Sequence, residues 1–205
     1  MTAKEKENYH HGDLRQTIIA EALTWIEQEN VISLSLRKIA RQIGVSHNAP
    51  YRHFPDKESL LAAIAQTGFT ELHQALQQAF ADSPNDWQKK LEQIGVAYVK
   101  YALNHQAYYR VMFGNGYIDY QKHPQLAEVS DKAFDVLLDV IKAGQEAKTF
   151  NSEDPQQLAR TCWSLVHGVS MLAIDNQLMI SDSDAVLELA KIATQTMSQG
   201  IICKT

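Results

Sequence analysis

Residues 44–57 read GVSHNAPYRHFPDK and follow a short apolar pattern. Over residues 36–43 apolar side chains recur at helical spacing, Ser35 before them suits an N-cap, and Gly44 can take the left-handed conformation that ends a helix. Ser46 is then placed to cap a second short helix. Two helices joined by a short turn with glycine form the helix-turn-helix arrangement. The stretch therefore predicts such a unit, with a polar second helix at the surface.

The second helix of this unit carries candidates for base contacts. When a helix-turn-helix unit binds DNA, that helix lies in the major groove and its first residues meet base edges. Those residues are His47, Asn48 and Ala49. An asparagine amide can hold adenine with two hydrogen bonds, an imidazole can donate to guanine or phosphate, and an alanine methyl suits the thymine methyl. Arg37, on the preceding helix, is a candidate for a base or a phosphate.

Lys57 stands where an isolated helix would disfavour it. It lies in the first turn of the next helix, where the positive end of the macrodipole favours an acid over a cation. A phosphate bound there would satisfy both the lysine and the free backbone N–H groups. Tyr51 and His53 lie close by on the short helix, as phosphate-binding side chains would. The alternative is a plain αα-hairpin, since any two-helix turn with glycine has this pattern.

The charge distribution favours a nucleic-acid partner for one part of the chain. The 205 residues carry a net charge of −5, which by itself opposes phosphate binding. Residues 31–57, however, hold five basic residues and one acid, a net of +4, so the rest of the chain carries −9. A basic N-terminal unit is therefore joined to an acidic body.

Composition sets further expectations. The first 13 residues are polar, and no apolar run approaches the roughly 20 residues of a membrane helix, so we expect a cytoplasmic protein. Cys162 and Cys203 are far apart and have no metal-binding spacing. This predicts reduced structural thiols and leaves one disulfide or a redox role open. No metal and no cofactor are expected.

The remaining sequence predicts an all-α fold. Apolar residues recur every three or four positions, and Pro, Gly, Asn and Ser mark the segment ends. No linker is present, so we expect two domains, over 1–58 and 59–205, to share the helix that begins at Lys57. About nine helices are predicted, over 13–29, 36–43, a short one from 46, 57–82, 87–101, 108–113, 124–144, 154–176 and 184–203.

Residues 33–61 resemble the DNA-binding domain of the tetracycline-repressor (TetR) family of bacterial transcription regulators. They read SLSLRKIARQIGVSHNAPYRHFPDKESLL and share the family's Gly-Val-Ser turn, its Tyr-x-His-Phe motif and the following lysine. With HHGDLRQTIIAEAL as the first helix, the resemblance covers about residues 9–62. It implies that Tyr51, His53 and Lys57 bind phosphates, that the other candidates face bases, and that the protein binds DNA as a homodimer. The predicted DNA-binding residues are Arg37, Ser46, His47, Asn48, Ala49, Tyr51, His53 and Lys57.

Pro50 departs from the family pattern. It follows Ala49, and a residue before proline resists the α conformation. We therefore expect the recognition helix to begin one residue late or to lose its first internal hydrogen bond.

The stretch CWSLVHGVSML, over 162–172, is similar to the Trp, His-Gly signature of one C-terminal ligand-domain type in this family. Trp163 and His167 share a helix face, and Ser164 and Gly168 form a small-residue pair that lets another helix approach closely. This pattern predicts a dimer interface in a four-helix arrangement. The predicted interface residues are Ser164, Gly168, Leu172, Leu189 and Ala193.

The aromatic residues of the body predict a ligand pocket. Apolar rings supply burial, while tyrosine and histidine tips supply orienting hydrogen bonds for an apolar, aromatic or planar small molecule. The competing interpretation is that these side chains are core, with His167 a hydrogen-bonded core histidine. The predicted lining is Tyr98, Tyr101, Met112, Phe113, Trp163 and His167.

Together these features predict a ligand-responsive transcription regulator, a repressor that binds a pseudo-palindromic operator as a homodimer. Enzyme motifs are missing: a single Glu-x-x-His runs from Glu7 to His10, and no phosphate-binding glycine loop, zinc spacing or nucleophile elbow occurs. The alternative is a helical small-molecule-binding or adaptor protein that does not use its helix-turn-helix. The sequence leaves open the effector, the operator and the sign of regulation.

Overall fold

The computed structural model describes residues 14–114 and 116–202 and confirms the all-α class. Eight α-helices lie in these ranges, with 3-10 turns at Pro50–Arg52 and Tyr120–Lys122, and a single β-bridge joins Phe150 to Ile202. The helices are α1 (Leu14–Gln28), α2 (Leu36–Gln42), α3 (Lys57–Asp82), α4 (Trp87–Asn104), α5 (Gln106–Met112), α6 (Pro124–Glu146), α7 (Pro155–Ile174) and α8 (Ser183–Ile201).

The difference from the nine predicted helices is at residue 46. The second helix expected there is a 3-10 turn, so eight α-helices remain in the described ranges. The Glu7 to His10 spacing and Cys203 lie outside the described residues. Within the part of the chain that the structure describes, no helix is both long and apolar enough to cross a membrane.

Short polar side chains start most of these helices. Each accepts a hydrogen bond from a backbone N–H of the first turn, which would otherwise lack a partner. Ser35, the cap proposed from the sequence, accepts from the Lys38 N–H at 3.3 Å. The other caps of this kind on α-helices are Asp56, Asp86, Asp154 and Asp182.

Three helices end with the same backbone motif. After α2, the N–H of Val45 bonds to the carbonyl of Ala40 at 3.0 Å, and Gly44 has the left-handed φ of 72°. This is the Schellman motif, in which a residue with positive φ turns the chain back onto the last helical turn. Lys148 after α6 and Asn176 after α7 occupy the same place, with φ of 56° and 55°. The glycine signal therefore correctly predicted the end of α2.

One contiguous core runs through both parts of the chain. The long helix α3 packs against α4, α5 and α6, while α4 also packs against α7 and α8. Helices α1 and α2 and the start of α3 form the N-terminal unit, and α1 also contacts α5 of the body. The body is thus a helical bundle built around α3 and α4.

Phe150 closes the end of α6. Its side chain is fully buried, and its ring lies over Gly144, where a Cβ atom would overlap the ring. The carbonyl of Gly144 accepts from the N–H groups of both Thr149 and Phe150, at 2.8 and 3.1 Å. A side chain larger than hydrogen therefore cannot fit at residue 144 without moving a buried aromatic ring.

Gly144→Ala should lower the free energy of unfolding by about 1–3 kcal/mol, although alanine gains up to about 1 kcal/mol in helix propensity. The reason is the collision with Phe150. Urea denaturation at a fixed protein concentration measures the change. The matched control is Gly200→Ala, where a Cβ meets nothing within 4 Å and stability should be kept or slightly raised. Equal effects of the two variants would contradict the packing argument.

Candidate functional site

The segment after Gly44 turns tightly and does not form an α-helix. Ala49 N–H bonds to the Ser46 carbonyl at 2.9 Å and Arg52 N–H to the Ala49 carbonyl at 3.2 Å, both over three residues. Pro50 has no N–H to give Ser46 a bond over four residues, which explains the tighter turn. The expectation that Ser46 caps a second α-helix is therefore wrong.

Ala49 differs from the expectation in a second way. Its φ of −61° and ψ of −45° are α-helical, although it precedes a proline. Phe54 anchors the turn in the core. Its side chain is 2% exposed, and its N–H donates to the Pro50 carbonyl at 2.9 Å. The guanidinium of Arg15 on α1 lies 5.2 Å from the centre of the Phe54 ring. The last residue of the Tyr-x-His-Phe motif is thus an anchor in the core.

The side chains predicted to contact bases lie at the surface. Arg37 on α2 is exposed, as are Ser46, His47 and Asn48 in the turn, while Ala49 is half-buried. Helix α2 packs against the 3-10 turn, so Arg37 and the turn residues belong to neighbouring elements of the N-terminal unit. Among the residues predicted to bind phosphate, Tyr51 is 42% exposed, whereas His53 and Lys57 are half-buried. The arrangement leaves polar groups accessible to a partner.

Lys57 has a partner that the sequence did not suggest. Its ammonium donates to the carbonyl of Ile32 at 2.9 Å, and the ammonium of Lys38 donates to the next carbonyl, Ser33, also at 2.9 Å. Partial burial, and to a smaller extent the charge of Lys38, lowers the pKa of Lys57. The two lysines therefore hold the α1–α2 loop, and a cation at the start of α3 has a structural explanation beside the proposed phosphate contact.

A cavity of about 650 Å³ lies inside the body. Its walls come from α3, α4, α6, α7 and α8, with Phe113 at the end of α5. Most buried lining residues are apolar, such as Leu72, Ile94 and Val166. The exposed ones are polar and all lie on α6 and α7, so the cavity opens between these two helices. The volume lies within the range typical of small-molecule sites.

The predicted lining residues divide into two groups. Tyr98, Phe113 and Trp163 line the cavity, whereas Tyr101, Met112 and His167 are not part of its wall. The Tyr101 hydroxyl is turned toward α3 and donates to the Gly68 carbonyl at 2.9 Å. Met112 fills the same region, since a Cβ at residue 68 would lie 2.5 Å from its sulfur. These two side chains are core because they pack α4 and α5 onto α3.

His167 lies behind the cavity wall, in a hydrogen-bonded cluster. The indole N–H of Trp163 donates to the Tyr98 hydroxyl at 3.1 Å, and the hydroxyl oxygens of Tyr98 and Tyr109 are 2.9 Å apart. The Tyr109 hydroxyl lies 2.7 Å from Nδ1 of His167. This arrangement corresponds to the core-histidine interpretation, although the cluster touches the cavity through Trp163 and Tyr98.

The cluster has a preferred protonation state. An indole N–H can only donate, so the Tyr98 oxygen accepts from Trp163. The hydroxyls of Tyr98 and Tyr109 lie 3.2 and 2.7 Å from Nδ1 of His167, and an unprotonated Nδ1 gives their hydrogens an acceptor. Burial lowers the pKa of His167 and raises the pKa of both Tyr98 and Tyr109, which keeps the histidine neutral and the hydroxyls protonated. Protonation of Nδ1 would remove the acceptor that both hydroxyls reach. A neutral His167 is therefore part of the folded state.

The predicted dimer residues lie on α7 and α8, which pack on each other. Ser164 is exposed, Leu172 is 40% exposed, and a Cβ at Gly168 would meet nothing within 4 Å. Leu189 and Ala193 are half-buried on α8. Small and apolar side chains on these two helices are therefore open to the outside of the subunit.

Two family models match the chain. Residues 18–64 match the model described as bacterial regulatory proteins, tetR family, and residues 91–191 match the tetracyclin repressor-like C-terminal domain. Together they take in most of the 205 residues. The chain belongs to the TetR family. The resemblance proposed from residues 33–61 and 162–172 is thereby confirmed.

Individual relatives agree with membership of the TetR family. A protein of unknown function from Rhodococcus sp. RHA1 has a TM-score of 0.81 and 31% identity, over 97% of this chain and 100% of that chain. A tetR-family regulatory protein from Rhodococcus RHA1 has a TM-score of 0.77 and 24% identity, over 93% and 98%. An HTH-type transcriptional regulator of Mycobacterium tuberculosis is 27% identical over 113 residues, 54% of this chain and 48% of that protein. The chain spans about half the length of the curated relatives that it matches in this way.

Several residues of these sites were missed from the sequence. Tyr109 in the cluster and Phe69 and Phe134 in the cavity wall were not assigned, because periodicity identifies a buried face but not what it faces. Cys162 also lines the cavity, and burial raises the pKa of its thiol to about 12. No group of three or more His, Cys, Asp or Glu side chains that could hold a metal occurs within residues 14–114 and 116–202.

His167 should make stability fall at low pH. Its folded-state pKa is lowered by burial, so the stabilisation is complete above the ordinary histidine pKa of about 6.5 and decreases as the pH falls below it. One proton accounts for at most about 1.4 kcal/mol per pH unit. Urea denaturation from about pH 8 to about pH 5, at one protein concentration, should show a shallower decrease for His167→Gln than for the parent chain.

Tyr109→Phe is the companion variant. It keeps the histidine but removes the nearer of the two hydroxyls at Nδ1, so it should lower stability at every pH while retaining the decrease at acidic pH. If His167→Gln leaves the pH dependence of the parent chain unchanged, His167 is not the group responsible.

Proposed function

We propose that the protein is a ligand-responsive transcription regulator that binds a pseudo-palindromic operator as a homodimer and acts as a repressor. The observation that carries this proposal is the exposed set of polar residues on the turn after Gly44, within a segment that matches the TetR-family model. We infer that His47, Asn48 and Arg37 contact bases. Tyr51, His53 and Lys57 are proposed to contact phosphates. Ser46 and Ala49 complete the surface.

Dimerisation is the second element of the proposal. A pseudo-palindromic operator requires two recognition segments about 34–36 Å apart, so that they enter successive major grooves. Ser164, Gly168 and Leu172 on α7 and Leu189 and Ala193 on α8 are proposed to form the interface. The open space at Gly168 supports this, since it lets a helix of a second subunit approach closely.

Regulation by a small molecule is the third element. The cavity shares Phe113 with the end of α5, and α5 packs against both α1 and α3. A ligand that moves this wall is therefore expected to move the N-terminal unit and change the spacing of the recognition segments. For this coupling to matter, the ligand must distinguish the two arrangements by about 1–3 kcal/mol.

Asn48→Ala should weaken binding to the operator by about 1–3 kcal/mol per half-site and relax the preference at one base position. The reason is the loss of a side chain that reads a base edge. Fluorescence anisotropy with the DNA upstream of the regulated gene and with random DNA measures both effects. Asn85→Ala, an exposed asparagine in the α3–α4 loop, is the matched control and should bind as the parent chain does. Equal losses on operator and random DNA would show that Asn48 does not read sequence.

The contrasting variant is Lys57→Ala. A phosphate contact is independent of base sequence, so this change should weaken binding to operator and random DNA alike. The slope of binding affinity against salt concentration should become shallower by about one phosphate contact per half-site. Lys38→Ala is its control, because Lys38 holds the same loop through Ser33 and is not in the predicted DNA-binding set. If both lysine variants have the same effect, the loop and not a phosphate explains Lys57.

Gly168→Leu should shift the protein toward monomer. Overpacking costs about 1–3 kcal/mol, so the dimer is expected to weaken about fivefold to 150-fold. Because a Cβ at this position meets nothing within 4 Å inside the subunit, the subunit's own packing should be preserved. Sedimentation over a concentration series, with a melting curve of each variant, measures both properties.

Gln74→Leu is the control for this experiment. It adds the same exposed apolar side chain to α3, away from the proposed interface, and should leave the dimer intact. A tight dimer in Gly168→Leu would place the interface elsewhere.

A further inference from the structure

We propose that the cavity takes an amphiphilic cation, an apolar molecule whose ammonium group is held at the opening between α6 and α7. This inference rests on the proposed function only in treating the cavity as the site of the effector. Three properties of the lining lead to it: a buried wall whose polar groups are already bonded, a high content of aromatic rings, and an excess of carboxylates at the opening.

The buried wall has little to offer a charged or strongly polar group. The Tyr98 hydroxyl is bonded within the cluster of Trp163, Tyr109 and His167. The Thr194 hydroxyl donates to the Lys191 carbonyl at 2.9 Å, so it is also occupied. Because burial of a charge without a partner is costly, the part of the ligand inside the cavity must be apolar.

The aromatic lining favours one sign of charge. A ring presents a negative face, which attracts an ammonium group within about 6 Å of its centre and does not attract a carboxylate. The rings of Phe134 and Trp163 meet edge to face at 6.4 Å, across the junction of α6 and α7. Six aromatic side chains line the cavity: Phe69, Tyr98, Phe113, Tyr120, Phe134 and Trp163.

The charged side chains of the lining all lie at the opening. Asp131 and Asp135 are one turn apart on α6, and Arg160 lies on α7; all three are exposed. No ion pair joins any of them to another residue in the described ranges. The lining therefore carries two negative charges and one positive charge, which favours a cation over an anion at this end.

The two carboxylates also lie beside an aromatic ring. Phe134 is between Asp131 and Asp135 in sequence and belongs to the same lining. An ammonium group at the opening would thus lie near both an aromatic ring and a carboxylate, while its hydrocarbon part enters the apolar space. Among the charged lining residues, an anionic head group could form an ion pair only with Arg160, and it would be repelled by Asp131 and Asp135.

The test compares three probes that share one hydrocarbon chain: decyltrimethylammonium, decanol and decanoate. Isothermal titration of the full chain, below the concentrations at which the probes form micelles, should give the tightest binding for the ammonium probe. A raised melting temperature of the protein should follow the same order.

Charge variants identify the opening as the place where the head group binds. Asp131→Asn combined with Asp135→Asn should weaken binding of the ammonium probe about three- to tenfold and leave binding of decanol unchanged. Arg160→Gln should strengthen binding of the ammonium probe about two- to fivefold. Asp139→Asn removes an exposed acid of α6 that is not in the cavity lining, so it should change the binding of neither the ammonium probe nor decanol.

Three outcomes would overturn the proposal: decanoate binding more tightly than the ammonium probe, equal binding of all three probes, or binding of none of them. If the unmodified protein does not bind DNA sequence-specifically, the regulator function is refuted instead. That result would not change the expected order of affinities for the three probes. The two failures are therefore distinguishable.

Discussion

The structure depends on the continuity of α3 from the N-terminal unit into the body. This helix has 26 residues, which corresponds to about 39 Å, and it packs against α4, α5 and α6. It starts at Asp56, whose carboxylate accepts the Ser59 N–H at 2.7 Å, a bond that lowers the pKa of Asp56. Midway, Gly68 lets Met112 approach the helix backbone, and the Gly68 carbonyl accepts the Tyr101 hydroxyl. The helix is therefore fixed both at its first turn and at its middle.

The first turn of α3 is also the junction between the two parts of the chain. Lys57 donates to the Ile32 carbonyl in the N-terminal unit, while the neighbouring Glu58 is turned to the segment before α6. The Glu58 carboxylate accepts the Asp119 N–H at 3.0 Å and lies 3.8 Å from the Lys122 ammonium. Two adjacent side chains thus tie the same helical turn to opposite sides. These contacts connect the segment before α6 to the helical turn that also holds the N-terminal unit.

The sequence predicts the helices well because their signals are local. Ser35 and Gly44 mark the limits of α2 through their own backbone preferences, and the structure agrees at both ends. The expected second helix fails for an equally local reason, since Pro50 removes one N–H. The residues that line the cavity are not predictable in this way. Tyr101 and Phe113 both have apolar neighbours in the sequence, yet of these two only Phe113 lines the cavity. Which face meets a void depends on how several helices cross, and no short stretch encodes that.

The crossing of α4 and α8 fixes one side of the cavity. At Gly95 the helices are so close that a Cβ would lie 2.5 Å from a Thr194 methyl group, and Gly95 and Thr194 are both in the lining. The Tyr98 and Trp163 hydrogen bond fixes the adjoining wall. The side formed by α6 packs along α3, and its charged lining residues, Asp131 and Asp135, are exposed. Because α6 begins at Pro124, directly after the segment bound by Glu58, movement of this side would act on the first turn of α3. The proposed regulation therefore requires no unfolding, since both Phe113 at the end of α5 and the start of α6 connect the cavity to the N-terminal unit or to the first turn of α3.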